Sequence, residues 1–335
     1  MESGTNSAPL RMACRIAATL LFASAALAQP QPLLRLEKTT NAMGAVYTIV
    51  VYGTDRDKME AAVDAALDET HRLDALLSNY QPDSEWSRVN HEAAAKPVKV
   101  SAELFKLLSA CDAYSRASEG AFDISVGPLM KVWGFFKGSG KLPETSAVAA
   151  VLANVGYRHV HLDAAAQTVS FDRPGVELDP GGIGKGYAVD RMVEILKQNG
   201  IERALVEGSG SSIYGLGTPP TEPRGWTANI RNPNNPNTIA TQIFLKDMSL
   251  STSGSYEKFF KAEGKIYAHI MDPRTGFPAQ GTASVSIVAP HTVDSEAWAK
   301  PYFVNGRQWT ADHKPADFRV YFCEDRPDHP CAWIP

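Results

Sequence analysis

The sequence predicts an α+β fold in which strands, helices and turns follow one another without a regular strand-helix-strand repeat. Apolar residues recur with a period of about two in some segments and about 3.6 in others, as in strands and amphipathic helices. The composition, 44% hydrophobic and 21% charged over 335 residues, is typical of a globular protein with a sizeable core. No internal repeat divides the later chain, so one domain with mixed or antiparallel sheets and packed helices is expected over residues 40–335.

The first thirty residues have the pattern of a secretory signal. Arg11 and Arg15 precede an apolar run over residues 16–27, and Ala26-Leu27-Ala28 is an A-x-A cleavage pattern. The run is shorter than the roughly 20 apolar residues that span a bilayer. We therefore expect a signal peptide over residues 1–28, a linker over 29–39 and a soluble protein exported to the periplasm.

Strands and helices are predicted from these patterns in chain order. The predicted strands are residues 43–52, the pair 157–162 and 168–171, a short strand 176–178, and then 204–206, 242–245, 284–288 and 319–323. The predicted helices are residues 58–77, 102–118 and 188–198, the last ending at Asn199-Gly200.

The cysteines point to one structural disulfide at most. Cys14 lies in the predicted signal, so an exported protein keeps Cys111, Cys323 and Cys331. Cys323 and Cys331 are close in a turn-rich tail, where a disulfide would close a small loop. Cys111 lies in an amphipathic stretch and is interpreted as a buried small hydrophobic residue. Neither the cysteines nor the histidines have the spacing of a zinc site.

The overall charge argues against a polyanionic partner. A formal net charge of -4 and an isoelectric point near 6.1 provide no broad positive field. Nucleic-acid binding is therefore not expected.

The glycine-rich loop between a predicted strand and a helix is the strongest local signal. Gly181-Gly182-Ile183-Gly184-Lys185-Gly186 allows main-chain N–H groups to approach an anion beside a helix N-terminus. The spacing is neither that of a P-loop nor that of the dinucleotide-binding G-x-G-x-x-G. By itself the loop predicts either a phosphate site or a tight turn that lets the helix and the strand pack closely.

Seven segments, taken together and in this order, resemble the flavin-transferase (ApbE) family. They are residues 43–47, 77–90, 120–129, 178–191, 208–214, 251–257 and 269–278, within a resemblance that spans about residues 43–306. The chain is therefore identified as a member of that family, which implies a single ApbE-like domain related to the T-fold.

The resemblance implies an activity and its participants. Similar proteins are FAD:protein FMN transferases, which cleave the FAD pyrophosphate, attach FMN to a Thr or Ser of a target protein and release AMP. The expected partner is thus a flavin-accepting redox protein, for example a membrane electron-transfer subunit. Phosphoryl transfer of this kind needs positioning, charge neutralisation and removal of a proton from the attacking hydroxyl.

The family motifs also imply site residues. The expected flavin-binding residues are Met43, Tyr80, Asp123, Gly181, Gly182, Ile183, Gly184, Lys185, Ser212, Thr252, Ser253, Gly254 and Thr275. Tyr80, Trp86 and Phe122 are candidates for ring contacts, of which Tyr80 is preferred because buried aromatic residues usually belong to the core. His269 is expected to act as the base and Asp272 to assist it, although Asp272 and Thr275 also suit a type I turn without any ligand.

The sequence departs from the family at the metal site. The family binds Mg²⁺ through a loop carbonyl, matched by Gly184, and through an Asp and a Thr four residues apart. The alignment puts Glu296 at the Asp position and Lys300 at the Thr position. A protonated lysine has only hydrogen-bond donors and cannot ligate magnesium. With Asp294 as the ligand instead, the residue four positions later is Trp298, which has no side-chain oxygen.

Three interpretations follow from this departure. The Lys300 ammonium takes the place of the metal beside Glu296, or magnesium binds through Glu296, Gly184 and FAD oxygens, or catalysis is lost and flavin binding survives. We favour the first and count Lys300 among the catalytic candidates. Pro301 is expected to disfavour helical geometry at Lys300. The rival functions are an FAD pyrophosphatase and a non-catalytic FAD carrier or assembly factor with a degenerate metal site.

Overall fold

A computed structural model of the chain describes residues 1–2, 4, 32–326, 328 and 331–335. Almost all of the predicted signal peptide therefore lies outside the described residues. Residues from Leu33 to the C-terminus form one compact unit. None of the described helices has the length and the hydropathy needed to cross a bilayer.

An eight-stranded sheet runs through the molecule in the order β1-β2-β6-β7-β10-β15-β16-β17, and all of its neighbouring strands are antiparallel. Its strands are β1 (Leu34–Ala42), β2 (Ala45–Gly53), β6 (Ala204–Gly208), β7 (Ser212–Leu216), β10 (Met248–Gly254), β15 (Thr282–Ala289), β16 (Arg319–Glu324) and β17 (Ala332–Trp333). The predicted strands 43–52, 204–206, 284–288 and 319–323 are confirmed within this sheet.

Smaller sheets flank the central one. A three-stranded sheet consists of β3 (Val98–Lys99), β5 (Thr168–Phe171) and β4 (Val160–Asp163), and three hairpins consist of β8 (Trp226–Asn232) with β9 (Asn235–Leu245), β11 (Phe259–Ala262) with β12 (Lys265–Ala268), and β13 (Met271–Asp272) with β14 (Phe277–Pro278). The predicted pairing of 157–162 with 168–171 is confirmed from Val160 onwards. Residues 157–159 instead form a 3-10 turn.

Seven α-helices are present among the described residues: α1 (Arg56–Leu77), α2 (Glu85–Glu92), α3 (Ala102–Ala117), α4 (Gly127–Val132), α5 (Thr145–Leu152), α6 (Gly184–Gln198) and α7 (Thr292–His313). The predicted helix 58–77 is confirmed as α1, whose N-cap Asp55 accepts a hydrogen bond from the Lys58 N–H at 3.0 Å. The predicted helix 102–118 is confirmed as α3, with Ser101 as its N-cap.

The two faces of the central sheet are covered differently. On one face, α1 and α6 pack against alternate residues of β2 and β6, such as Ile49 and Val206. Helix α7 extends this layer over β15 and β16, where Phe303 and Ile287 belong to the same buried cluster. On the other face, the β8–β9 hairpin covers Ile213 and Leu250. The period-two alternation of each strand therefore supplies both cores.

Four local predictions need correction. Strand β1 begins at Leu34, so residues 34–39 of the predicted linker belong to the sheet. The segment 176–178 forms only one isolated bridge, between Glu177 and Val126, because Leu178 bonds to side chains instead. Helix α6 begins at Gly184 rather than at residue 188, since glycines carry no apolar pattern that could reveal a first turn. Helix α7 continues through Pro301 and departs from helical geometry at Gly306, where φ is 83°.

The cysteine predictions are confirmed. Cys323 and Cys331 form a disulfide that links β16 to the segment before β17. Cys111 is free and fully buried in α3, and burial raises the pKa of its thiol well above the usual range. This thiol is therefore part of the core and has no nucleophilic character.

Candidate active site

A cavity of about 600 Å³ opens at one end of the central sheet. Its size lies within the range of small-molecule sites. The predicted residues that line it are Met43, Tyr80, Gly181, Gly184, Lys185, Ser212, Thr252, Ser253, Gly254, His269, Glu296 and Lys300. Segments spread over about 250 positions of the chain thus meet in one place, and most of the predicted site residues are among them.

Antiparallel pairing explains this convergence. The start of β2 pairs with the end of β6, so the β1–β2 turn at Gly44 lies beside the β6–β7 turn at Ser209. The start of β7 at Ser212 pairs with Ser251 near the end of β10. These turns and strand ends lie at the same end of the sheet, because in an antiparallel sheet one strand begins beside the point where its neighbour ends.

The glycine loop is shaped by polar contacts on both sides. Leu178 is fixed by Asn90, which accepts from the Leu178 N–H at 2.7 Å, while the Leu178 carbonyl accepts from the Trp86 indole N–H at 3.0 Å. The Asp179 carboxylate then accepts from the Gly181 N–H at 2.8 Å and from the Asn79 amide at 2.9 Å. Trp86 is therefore a buried core residue that positions the loop, not a ring contact for a ligand.

In each of the helices α6 and α7, a carboxylate accepts hydrogen bonds from first-turn N–H groups of the other helix. Glu296 of α7 accepts a hydrogen bond from the Gly186 N–H of α6 at 2.5 Å. Asp190 of α6 accepts from the N–H groups of Thr292 and Val293 at 2.7 and 2.8 Å. A Cβ at Gly186 would lie 2.5 Å from the Thr292 carbonyl oxygen. Close packing of the helices therefore requires glycine there, as the packing interpretation of the loop predicts, whereas the phosphate site stays a prediction.

Two lysines surround the Glu296 carboxylate, which is 2% exposed as a residue. Glu296 Oε1 lies 3.2 Å from Lys185 Nζ and 3.8 Å from Lys300 Nζ, and Lys300 Nζ also donates to the Glu296 carbonyl at 3.0 Å. Burial alone would raise the pKa of Glu296, but the two ammonium charges and the Gly186 N–H together lower it. Burial lowers the pKa of Lys300 to about 8, against the opposing effect of Glu296. Glu296 is thus ionised at neutral pH.

The residues at the expected metal position do not fit Mg²⁺. One oxygen of Glu296 is engaged by the Gly186 N–H, and the other faces two ammonium groups, which would repel a cation. Gly184 is the first residue of α6, so its carbonyl belongs to the helical hydrogen-bond pattern. No group of three or more His, Cys, Asp or Glu residues in the described part of the chain has the arrangement of a metal site.

The alternative ligand Asp294 is directed elsewhere. Its carboxylate accepts a hydrogen bond from the Tyr114 hydroxyl at 2.5 Å, and Asp294 does not line the cavity. Glu296 and Lys300 therefore have side chains that line the cavity, whereas the alternative pair, Asp294 and Trp298, does not line it.

His269 has the environment of a neutral base. Its Nδ1 lies 3.1 Å from the Lys258 carbonyl oxygen, an acceptor, so Nδ1 carries the proton and Nε2 is left with a free lone pair. Burial, followed by the charges of Lys185, Lys300 and Lys258, lowers the pKa of His269 to about 4 against the effect of that carbonyl. The imidazole is therefore neutral at physiological pH and able to accept a proton from a hydroxyl.

A smaller cavity of about 90 Å³ adjoins the first and shares Asp179, Gly181, His269 and Lys300 with it. Gly182, Asp123 and Phe122 line this smaller cavity and not the main one. Asp123 accepts from the backbone N–H groups of Ser125 and Tyr157, at 2.8 and 2.5 Å, so its carboxylate organises a loop. Asp123 nevertheless lines the adjoining cavity, and its role as a flavin ligand stays a prediction.

Three more predicted residues lie outside both cavities. Ile183 is completely buried as the N-cap of α6, because its apolar side chain packs into the core. Asp272 bonds to the backbone and the guanidinium of Arg274, at 3.0 and 2.9 Å. Thr275 donates its backbone N–H to the Asp272 carbonyl at 3.3 Å. These contacts are those expected of a turn without a ligand, whereas the catalytic role of Asp272 and the ligand role of Thr275 stay predictions.

Tyr80 forms the aromatic rim of the cavity. It is 53% exposed, stacks on Phe136 with ring centroids 4.7 Å apart, and donates its hydroxyl to the Phe136 carbonyl at 2.5 Å. An exposed, oriented ring beside a cavity is suited to contact a flat heterocycle. Of the three aromatic candidates, Tyr80 alone lines the main cavity.

Among the residues without a predicted role, Asn79, Asp179 and Lys258 also line the main cavity. Asn79 and Asp179 are polar residues inside the family motifs, and that position in the motifs was the signal available in the sequence. Lys258 lies one residue beyond a quoted motif, in a segment with no predicted element. No pattern in the sequence indicated that its side chain reaches the site.

Known proteins are similar to this chain in sequence and in fold. The sequence model of the ApbE family matches residues 43–321. Relatives named FAD:protein FMN transferase include one from Klebsiella pneumoniae, 30% identical over 78% of this chain and 79% of its own length. Another, from Treponema pallidum, is 35% identical over 73% of each chain.

Solved structures agree with the sequence relatives. The ApbE protein of Thermotoga maritima superposes with a TM-score of 0.80 at 28% identity, covering 90% of this chain and 96% of its own. The flavin transferase ApbE of Vibrio cholerae gives a TM-score of 0.78 at 25% identity, with coverages of 90% and 97%. The predicted α+β class is confirmed by these matches.

Proposed function

This chain belongs to the ApbE family, and from that membership we propose that it is an FAD:protein FMN transferase. FAD is its flavin substrate, and a protein is its acceptor. The observation that carries the proposal is the convergence, in one cavity, of the glycine loop, two lysines beside a buried carboxylate, and a neutral histidine. These groups supply the positioning, charge neutralisation and proton acceptance that phosphoryl transfer needs.

The reaction proceeds by attack of an acceptor hydroxyl on the phosphorus of the FMN half of FAD. A new P–O bond to the Thr or Ser side chain forms, and the bond to the bridging pyrophosphate oxygen breaks. The electron pair of that bond leaves with AMP, and the hydroxyl proton passes to Nε2 of His269. The first-turn N–H groups of α6 and Lys185 stabilise the negative charge on the phosphate oxygens.

We further propose that the Lys300 ammonium replaces the metal of the family. The support is the ion-pair distance from Lys300 Nζ to Glu296 Oε1, 3.8 Å, and the unsuitability of that environment for Mg²⁺. The expected result is that FMN transfer survives EDTA and is not stimulated by added magnesium. Strong magnesium dependence would instead favour binding through Glu296 and FAD oxygens.

Metal binding is also measurable without turnover. In isothermal titration, Mg²⁺ or Mn²⁺ is expected to produce no saturable heat with the wild-type protein. Lys300→Thr, which removes the ammonium and provides a hydroxyl, is the variant in which binding would emerge. Saturable binding to wild type with sub-millimolar affinity would contradict the proposal.

We infer that the protein acts after export to the periplasm on a flavin-accepting redox protein, such as a membrane electron-transfer subunit. The support is the signal pattern over residues 1–28 and the disulfide between Cys323 and Cys331, which is typical of oxidising compartments. Cell fractionation after expression of the full chain tests this location. Detection of uncleaved protein in the cytoplasm alone would contradict it.

One incubation separates the proposed activity from its rivals. The purified protein is mixed with FAD in the presence and absence of a candidate acceptor that contains Thr or Ser, and the products are read by mass spectrometry. A transferase adds FMN to the acceptor. Free FMN and AMP formed equally without acceptor indicate a pyrophosphatase, and unchanged bound FAD indicates a carrier or an assembly factor.

A further inference from the structure

Lys258 lines the main cavity between β10 and β11, and its ammonium group has no role in the reaction described above. Its Nζ donates a hydrogen bond to the Phe135 carbonyl oxygen at 2.7 Å. An ammonium group has three N–H donors, so two of them remain available. The side chain is only partly exposed, and the carbonyl fixes the direction in which the charge faces.

The ammonium group of Lys258 has different neighbours from those of the other two cavity lysines. Lys185 and Lys300 both lie beside the Glu296 carboxylate, which compensates part of their charge. Within the described part of the chain, no carboxylate lies within ion-pair distance of Lys258 Nζ; its hydrogen-bond partner, a carbonyl, is neutral. Lys258 therefore contributes a positive charge that an anionic ligand can compensate.

The backbone of Lys258 places this charge beside the base. The Lys258 carbonyl accepts from both the backbone N–H of His269, at 3.0 Å, and its ring Nδ1, at 3.1 Å. The residue that fixes the tautomer of His269 thus also carries an ammonium into the same cavity. A phosphoryl group attacked by a hydroxyl at His269 Nε2 would lie within the field of that ammonium.

We propose that the Lys258 ammonium binds a non-bridging phosphate oxygen of FAD, on the phosphoryl group that is transferred. This inference depends on the proposed use of FAD. His269 accepts the proton of the attacking hydroxyl, and Lys258 takes no part in proton transfer. Its contribution is to substrate binding and to neutralisation of charge that builds up on the transferred phosphoryl group.

Binding of FAD and of riboflavin, which has the same ring system but no phosphate, tests the proposal. Lys258→Gln keeps an N–H donor for Phe135 and loses the charge. We expect its Kd for FAD to rise about ten- to a hundredfold and its Kd for riboflavin to stay unchanged. Lys258→Arg keeps the charge and is expected to bind FAD within about threefold of wild type. Lys261→Gln, at an exposed lysine of β11, is the matched control and is expected to change neither ligand.

A measurement on the wild-type protein covers the case in which the variants do not fold. Lysine acetylation is followed by mass spectrometry, with FAD or riboflavin at saturation. FAD is expected to protect Lys258 and riboflavin not to. Equal loss of FAD and riboflavin affinity in Lys258→Gln, or no protection of Lys258 by FAD, would overturn the proposal. Failure of the wild-type protein to bind FAD would instead overturn the proposed function.

Discussion

The glycine loop and helix α7 face each other across the same cavity but contribute to it in different ways. The loop contributes backbone: N–H groups at the first turn of α6, and an absence of side chains where Gly186 meets Thr292. Helix α7 contributes side-chain charge through Glu296 and Lys300. One wall of the site thus depends on where the main chain lies, and the other on which charged groups it carries.

This difference explains where the sequence departs from its family. A backbone site allows little substitution, because any Cβ at Gly186 would come within 2.9 Å of Glu296 Oε2 and closer still to Thr292. A charge site can be rebuilt by a single residue, since replacement of a hydroxyl by an ammonium at position 300 changes the chemistry and leaves the helix intact. The proposed exchange of a metal ligand for a lysine at this position is therefore compatible with an intact α7.

The largest expected effect comes from removing the negative charge of α7. Glu296→Gln leaves Lys185 and Lys300 without their carboxylate, and breaking such a buried pair costs about 3 kcal/mol of unfolding free energy. Urea denaturation at pH 7 measures this loss. Asp294→Asn, two residues away on the same helix, is the control and is expected to cost about 1 kcal/mol through its bond to Tyr114.

The pH dependence of this loss has a defined sign. The pKa of Glu296 is lowered in the folded state, so its stabilising effect is complete above the ordinary value of 4.5 and is lost as the pH falls through the lowered value. The stability difference between wild type and Glu296→Gln should therefore shrink below about pH 4.5. A constant difference down to pH 3 would contradict an ionised Glu296.

The backbone wall should respond to a single methyl group. Gly186→Ala forces Cβ against the Thr292 carbonyl and is expected to cost about 2 kcal/mol of unfolding free energy, with weaker FAD binding as α6 and α7 separate. Gly184→Ala is the matched variant, because its Cβ would meet the flexible end of Met43 at 3.2 Å and would lie in ordinary contact with Pro180 Cβ at 3.8 Å. Equal thermal stability of the two variants would show that the helix contact is not the reason for glycine at 186.

The charged wall should also set the pH range of FMN transfer. Lysine is charged below its pKa, so the Lys300 ammonium is lost as the pH rises through about 8, and His269 loses its base function as the pH falls through about 4. We expect a bell-shaped rate profile whose alkaline side falls about tenfold per pH unit. Lys300→Arg, charged throughout this range, should lose the alkaline limb; an unchanged limb would assign it to another group.

The smallest effect on stability and FAD binding is expected for a residue that belongs to neither the glycine loop nor α7. Asp272→Asn weakens a partly exposed contact to Arg274 and should change the unfolding free energy by at most about 0.5 kcal/mol. The Kd for FAD should equal that of wild type, since Asp272 does not line the cavity. A loss of transfer of more than tenfold, with normal FAD binding, would support the catalytic role that the sequence motif implies.

Local patterns predicted much of the fold and many of the site residues, and particular residues show why. Helix 58–77 follows from apolar periodicity because it buries one continuous face, whereas strand 284–288 lies within β15, which is buried on both faces. The strand predicted at 176–178 and the non-helical geometry expected at Lys300, before Pro301, were wrong. In both cases tertiary contacts decided the outcome: Asn90 bonds to Leu178, and the helix that contains Pro301 packs against β15.

The sequence by itself determined the α+β class, the glycine loop and the family membership, because each of these depends on residues close together in the chain or on ordered motifs. Only the tertiary structure decided that Gly186 serves helix packing, that Asp272 and Thr275 serve a turn, and that Lys258 reaches the cavity. The physical reason is that these roles depend on contacts between distant segments. The distance of a residue from Thr292 or His269 is set by how the sheet brings strand ends together. A local sequence pattern does not predict that distance.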